Sequence, residues 1–204
     1  MGILSSTVSI TPYRVEGKLD QPIMETVARG LKKNAIEDID KDSADRAVGW
    51  ACLNEPFSVD FDQHPFLIGT HFVFSMRIDK KTIPAKVVAK YHALEMKKRL
   101  KNTGREFLSK TEKKEIKDQV LHMLSMRIPP TPNIYDLVWN YESEELWFLS
   151  NLKSANEELE TLFTRSFNLK LIRLFPYTMA VLISPLDPVE KDAVNQFTPT
   201  RFTE

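Results

Sequence analysis

The sequence predicts an α+β fold built as two antiparallel sheet-plus-helix halves joined by a long basic helical pair. Three observations predict it. Stretches rich in β-branched and alternating apolar residues cluster before residue 80 and after residue 131. Each cluster also holds a stretch of helical periodicity. Between the clusters lie two adjoining helical stretches with clear start and stop signals and a large excess of lysine.

Taken in order, Ile3 to Val15 reads as a first strand, with Val8, Ile10 and Val15 as its β-branched residues and Pro12 marking an edge or bulge. Asp20 stands where a helix N-cap should, with Pro22 just inside. Ile23, Val27 and Leu31 then follow at helical spacing to about Lys33. Val48 to Leu53 and Phe66 to Ile78 read as strands, the latter alternating at Phe72, Phe74, Met76 and Ile78. Pro84 opens a helix to about Lys101, which Gly104 breaks. Ser109 or Thr111 starts the next helix, and Ser109 with Glu112 has capping-box spacing. Its apolar stripe is Ile116, Val120, Met123 and Leu124, and Pro129-Pro130 stops it. Strands are expected over Ile134 to Tyr141 and Leu146 to Asn151. Ser154 is expected to cap a helix with Leu159, Leu162 and Phe163 facing inward, and Leu169 to Phe175 and Thr178 to Ile183 to form the closing strands. The organisation is one unit: residues 1–80 as the first sheet half, 81–130 as the basic arm, 131–204 as the second.

Composition bounds the function. At 204 residues, 42% hydrophobic and 27% charged, the chain can bury a core and is not a disordered tail. The single cysteine, Cys52, rules out an internal disulfide and a Cys-rich zinc site. No run of 18 apolar residues is present to span a membrane. The start, Met1-Gly2-Ile3-Leu4-Ser5-Ser6, lacks the charged and apolar regions of a secretory leader. It satisfies the loose myristoylation pattern, but a strand is the preferred reading.

Net charge is zero, which conceals a polarised molecule. Arg77 to Lys117 holds fourteen Lys and Arg against five acids, leaving fourteen bases and twenty-three acids elsewhere. In the first arm helix Lys86, Lys90, Lys97 and Lys101 fall within about 60° of one another at about 100° per residue, with Lys98 nearby. In the second, Lys110, Lys113, Lys114 and Lys117 repeat at i, i+3, i+4 and i+7. A solvated helix face is the bland alternative, and it would carry balancing acids. Two neighbouring helices with the same unbalanced excess point instead to a surface that tracks phosphates. Lysine suits phosphate contact and arginine the reading of guanine edges, so little base readout is expected.

Leu108-Ser109-Lys110-Thr111-Glu112-Lys113-Lys114-Glu115-Ile116-Lys117-Asp118-Gln119-Val120-Leu121-His122-Met123-Leu124, followed by Arg127, strongly resembles the signature helix of the RdgC family, K-T-E-K-x-x-[LI]-K-D-x-V-L-H-x-L-x-x-R. Val48-Gly49-Trp50 is similar to that family's G-W element, and Ile83-Pro84 with Val87 and Val88 to its I-L-P-x-x-V helix start. The resemblance covers roughly residues 1 to 180. It implies a bacterial, cytoplasmic, nucleoid-associated protein of DNA recombination that binds double- and single-stranded DNA without sequence preference. It further implies a ring-shaped dimer with a basic hole, and restraint of a RecA-type recombinase. The matching basic residues are Lys110, Lys113, Lys117 and Arg127. Lys86, Lys90, Lys97, Lys98, Lys101 and Lys114 rest on charge alone. Longer relatives continue well past the final strands, and the aromatic that usually follows the signature helix is replaced by Ile128-Pro129. Closure of a ring is therefore expected to differ.

Other chemistry is weakly signalled. None of the glycines falls in a phosphate-cradling pattern, so no nucleotide cofactor is expected. Cys52 reads as a buried structural thiol. Asp60-x-Asp62-x-His64 could place three ligands on one side of a strand to hold Mg²⁺ for an exonuclease, but fits an exposed loop equally well. His92 and His122 read as helix-packing residues, and Trp139 and Trp147 as packing aromatics ahead of base-stacking ones. The expectation is a sequence-nonspecific DNA binder and no enzyme. Direct docking on a recombinase, or Mg-dependent exonuclease activity, is the alternative.

Overall fold

The computed structural model describes residues 2–3, 5–184 and 186–197. Among the described residues there are seven strands and six helices: β1 (Thr11–Glu16), α1 (Ile23–Lys33), β2 (Arg46–Ala51), β3 (Leu67–Ile68), β4 (His71–Lys80), α2 (Ala85–Thr103), α3 (Lys110–Ser125), β5 (Thr131–Asn140), β6 (Glu145–Phe148), α4 (Lys153–Phe167), β7 (Lys170–Arg173), α5 (Pro176–Ile183) and α6 (Pro188–Gln196). The class is α+β.

Both halves of the chain feed one antiparallel sheet of order β2-β4-β5-β6-β1-β7, with the short β3 paired to β4. The spine is β4 against β5, in register from His71↔Asn140 to Lys80↔Thr131. β1, first in the chain, pairs with β6 on one side and β7 on the other. The halves are interlocked.

Alternation along the strands lines up one apolar face. Phe72, Trp139, Leu146 and Tyr13 follow one another across four strands by register and are all buried. Helices α1 and α4 cover this face with Val27, Leu31, Leu159, Leu162, Phe163 and Phe167. Phe167 is the keystone: its ring centre lies 4.9 Å from Phe163, 5.4 Å from Trp139 and 5.9 Å from Trp50. Gly30 makes room for it, because a Cβ there would stand 2.6 Å from the Phe167 ring and 2.8 Å from the Ser166 carbonyl oxygen. α2 and α3 take no part in this core. They pack on each other around Leu108, Ile116, Val120 and Leu124.

Several expected elements differ. Thr178 to Ile183 is helical, not a strand. Pro176 sits in its first turn, and the Thr178 hydroxyl bonds the backbone N–H of Phe175 at 2.8 Å and the Arg173 carbonyl at 2.9 Å, fixing a helical start despite the β-branched composition. Phe66 to Ile78 is a hairpin rather than one strand, turning at Gly69, whose φ of 62° suits glycine. The first strand starts at Thr11; ahead of it the Ile3 N–H is held by Asp136 at 2.9 Å. Asp20 does not cap α1, which begins after Pro22, although its carbonyl accepts the Thr26 hydroxyl. Ser154 lies inside α4, and Leu152 occupies the cap position with no side-chain bond. Of the tail, Pro185 and residues 198–204 lie outside the described residues.

Candidate nucleic-acid interface

Because Lys80 pairs with Thr131, residues 81–130 leave the sheet and return to it at one point. The arm is thus an insertion in a β4–β5 hairpin, anchored at both ends. Local signals set its helices. Pro84, extended in backbone, starts α2, and Gly104 at φ 65° ends it in the left-handed conformation. Ser109 begins α3 with a reciprocal capping box: the Glu112 N–H donates to the Ser109 hydroxyl at 3.2 Å, and the Ser109 N–H to the Glu112 carboxylate at 2.8 Å. The Ser109 backbone N–H above all, and then the Ser109 side chain, hold the Glu112 carboxyl below the usual carboxylate range, with Arg105 and Arg99 adding a smaller pull.

All ten basic residues singled out by charge and motif are exposed: Lys86, Lys90, Lys97, Lys98 and Lys101 on α2, Lys110, Lys113, Lys114 and Lys117 on α3, and Arg127 just beyond it. Among the described residues only Lys98 is in an ion pair, a loose 3.7 Å contact with Glu95. The two stripes are not one flat face. By helical geometry the Lys86-Lys90-Lys97-Lys101 stripe projects roughly opposite the side of α2 that packs on α3, while the α3 lysines flank their own apolar seam by about a quarter turn. Cations therefore wrap the arm. Lys98 stands off the α2 stripe, and Arg127 lies at the base, past the Met126 C-cap.

Not every base in the segment is free to meet a ligand. Arg77 is locked onto the buried Asp79 and lies 5.1 Å from the Phe57 ring. Lys81 is buried, its ammonium held by the carbonyl oxygens of Asp42, Ser125 and Asp40 at 2.7, 2.7 and 3.3 Å. Arg105 pairs with Glu112 at 3.3 Å. Counting charges along the chain treats all three as surface cations.

The remaining candidates fall apart as a group. Asp60, Asp62 and His64 lie in a turn, not on a strand. Asp60 accepts the N–H groups of Asp62 and Gln63, Asp62 pairs with Lys32 at 2.7 Å, and His64 faces Glu55 at 3.5 Å. No cluster of three metal-ligating side chains occurs among the described residues. His92 does join the two helices, through the Lys113 carbonyl at 3.0 Å, whereas His122 is exposed and is not a packing residue. Trp139 is buried in the core, and Trp147 is 49% exposed on the far face of the sheet. Sequence reasoning passed over Phe107, which is 82% exposed in the loop between the two arm helices. An aromatic among charged residues between two capped helices was the available signal.

Sheet and arm together define a class: an α+β protein whose central hairpin is extended by a cation-wrapped two-helix arm. The chain belongs to the RdgC family, whose model, described as "Putative exonuclease, RdgC", matches residues 9–176. That match runs from just before β1 through the whole arm to the first residue of α5. No curated protein matches the chain.

Proposed function

We propose that this protein binds double- and single-stranded DNA without reading sequence, through the cations of α2 and α3, as an oligomer that modulates a recombinase at the bacterial nucleoid. The observation that carries this reading is the unpaired state of the arm. Nine of the ten exposed bases have no acidic partner among the described residues, although the rest of the chain is acid-rich. Leaving so many like charges together is unfavourable unless an anion meets them, and a polyphosphate does so while releasing its counterions.

If the arm neutralises about 4 to 6 phosphates, log K falls against log salt with a slope of roughly −4 to −5. Gel-shift or anisotropy titrations at several salt concentrations test this, and a flat response would sink it. Family membership supports the same reading through the signature-helix positions Lys110, Lys113, Lys117 and Arg127.

We further propose that binding involves no covalent chemistry, although the family description names an exonuclease. Asp62 and His64 are turned to Lys32 and Glu55, away from any shared ligand position. Incubating end-labelled duplex with Mg²⁺ and the wild-type chain, Asp60→Ala and Asp62→Ala is the check. Cleavage by the wild type that both variants lose would make it a nuclease.

A protein interface is favoured by a separate observation. Phe175, Met179, Leu182 and Phe197 at and around α5 and α6 are 48, 43, 45 and 77% exposed, an apolar display that fits a second copy or a recombinase. Mass in solution with and without DNA separates self-association from binding.

A further inference from the structure

We infer that Phe107 is a base-stacking residue: the exposed aromatic at the free end of the arm inserts against unpaired nucleobases, and so favours single-stranded over duplex DNA. The inference rests on the DNA reading above and adds to it a contact with bases rather than phosphates.

The geometry starts with the loop. α2 ends in the left-handed Gly104, and α3 begins at the capped Ser109, so only four residues connect two fixed helix ends. Of these, Leu108 is 7% exposed and sits in the arm's own apolar seam. Arg105 reaches across to Glu112 on the first turn of α3. With Leu108 anchored inward and both flanks capped, Phe107 is turned out, at 82% exposure the most solvent-accessible large apolar side chain among the described residues. An aromatic ring kept in water forgoes the stabilisation its burial would bring. Here the fold does so on a constrained loop.

The surroundings select the occupant. Lys101 and Lys110 lie within six positions of Phe107 and are exposed, with Lys97, Lys98 and Lys114 one helical turn further on; the acids in the same stretch are Glu106, Glu115 and Glu112, the last already bonded to Arg105. A protein docking on a lone phenylalanine would have to desolvate that cationic collar. A single strand instead brings phosphates to the collar and an exposed π-face to the ring. Duplex DNA offers the same phosphates but keeps its bases stacked and covered. The three tryptophans offer no comparable arrangement: Trp50 and Trp139 are buried, and Trp147 lies on the sheet near His71 and Glu145, at the end of β4 opposite the arm.

The experiment uses the full chain as wild type, Phe107→Ala, Phe107→Trp and the control Leu94→Ala, an exposed apolar residue on α2. Each is titrated by fluorescence anisotropy against labelled dT20 and a 20-base-pair duplex, and its mass is measured without DNA. We expect Phe107→Ala to weaken dT20 binding about five- to a hundredfold, the range set by loss of one stacked base, with less than a twofold change on duplex. Phe107→Trp should retain dT20 affinity and gain indole quenching on binding, and Leu94→Ala should match wild type. Unchanged dT20 affinity in Phe107→Ala would overturn the inference, as would equal losses on both DNAs. A fall in mass for Phe107→Ala would also overturn it, by assigning the ring to contact between copies. Wild type that binds neither DNA would instead remove the DNA reading itself.

Discussion

The ammonium of Lys81, 5% exposed, donates to the carbonyl oxygen of Ser125 at 2.7 Å and so joins the sheet's exit to the last turn of the arm's second helix. The same ammonium bonds the Asp42 carbonyl at 2.7 Å, which brings the loop before β2 into the joint. A buried cation at the carbonyl end of a helix is well placed electrostatically, since the orphan carbonyls of the last turn concentrate negative potential there. The arm is thereby fixed at its base by one side chain with three backbone partners.

Replacing Lys81 with Met keeps the stem and removes the donors. The buried Ser125 carbonyl, left without this partner, costs about 1 to 3 kcal/mol. Urea unfolding should show a midpoint lowered by roughly 1 M for a chain of this size, and amide exchange at 122–126 should quicken. A midpoint within 0.2 M of wild type would show the joint to be dispensable.

Lys81 also marks the limit of what the amino-acid sequence discloses. Three of the four arm-helix ends were legible to within about two residues, because Pro84, Gly104 and the Ser109–Glu112 box act within one turn of themselves, whereas α3 ends at Ser125, ahead of Pro129-Pro130. Their exposed lysines were legible for the same reason: periodicity is local. Burial of Lys81, however, depends on Asp40 and Asp42 some forty positions earlier, and insertion of β1 between β6 and β7 depends on partners 130 to 160 positions away. No spacing rule reaches that far. α5 was misread because Val181 and its neighbours have strand composition, while the hydroxyl of Thr178 decides the backbone.

Gly30→Ala tests the closest approach in the main core. Alanine is the better helix former by about 1 kcal/mol, so a solvent-facing glycine would gain. Here the new methyl meets the Phe167 ring at 2.6 Å and the Ser166 carbonyl at 2.8 Å. The ring can rotate, but the carbonyl belongs to the end of α4. Overpacking of this kind costs about 1 to 3 kcal/mol, so a net loss of about 1 to 2 kcal/mol is expected by thermal or urea unfolding. A stabilised variant would mean that α1 and α4 shift apart freely.

Tyr13 makes stability fall at alkaline pH. Its hydroxyl, fully buried, donates to Asn156 at 2.7 Å, with Glu160 at 3.0 Å also in reach, while Arg173 donates to it at 3.2 Å. Burial raises the phenol well above its ordinary value of 10, Glu160 adds to the rise, and Arg173 opposes both. A group whose folded value is raised contributes its full stability below the unfolded value and loses it as pH climbs beyond. Stability should therefore be flat from neutrality to about pH 9.5 and decline above it. Tyr13→Phe should be about 1 to 2 kcal/mol less stable at pH 7 and show a shallower alkaline decline. An identical slope in the variant would assign the decline to other groups.

Charge reversal on α3 is the sharpest test of the arm. Lys113, Lys114 and Lys117 are exposed, make no ion pair among the described residues, and lie on the flank of a helix whose packing rests on Ile116, Val120 and Leu124. Changing all three to Glu removes three positive charges and adds three negative ones without touching that seam, so helicity by circular dichroism should be unchanged. Loss of three phosphate contacts alone lowers the salt slope by about 3, and repulsion removes what remains, leaving no measurable binding near physiological salt. The matching α2 triple, Lys86, Lys90 and Lys97 to Glu, projects in a different direction, about a quarter turn around the arm from the α3 lysines. If DNA is wrapped or encircled, both triples abolish binding. If it lies along one flank, only the α3 triple does, and the α2 triple retains affinity within about tenfold. A folded α3 triple with wild-type affinity would move the interface off the arm altogether.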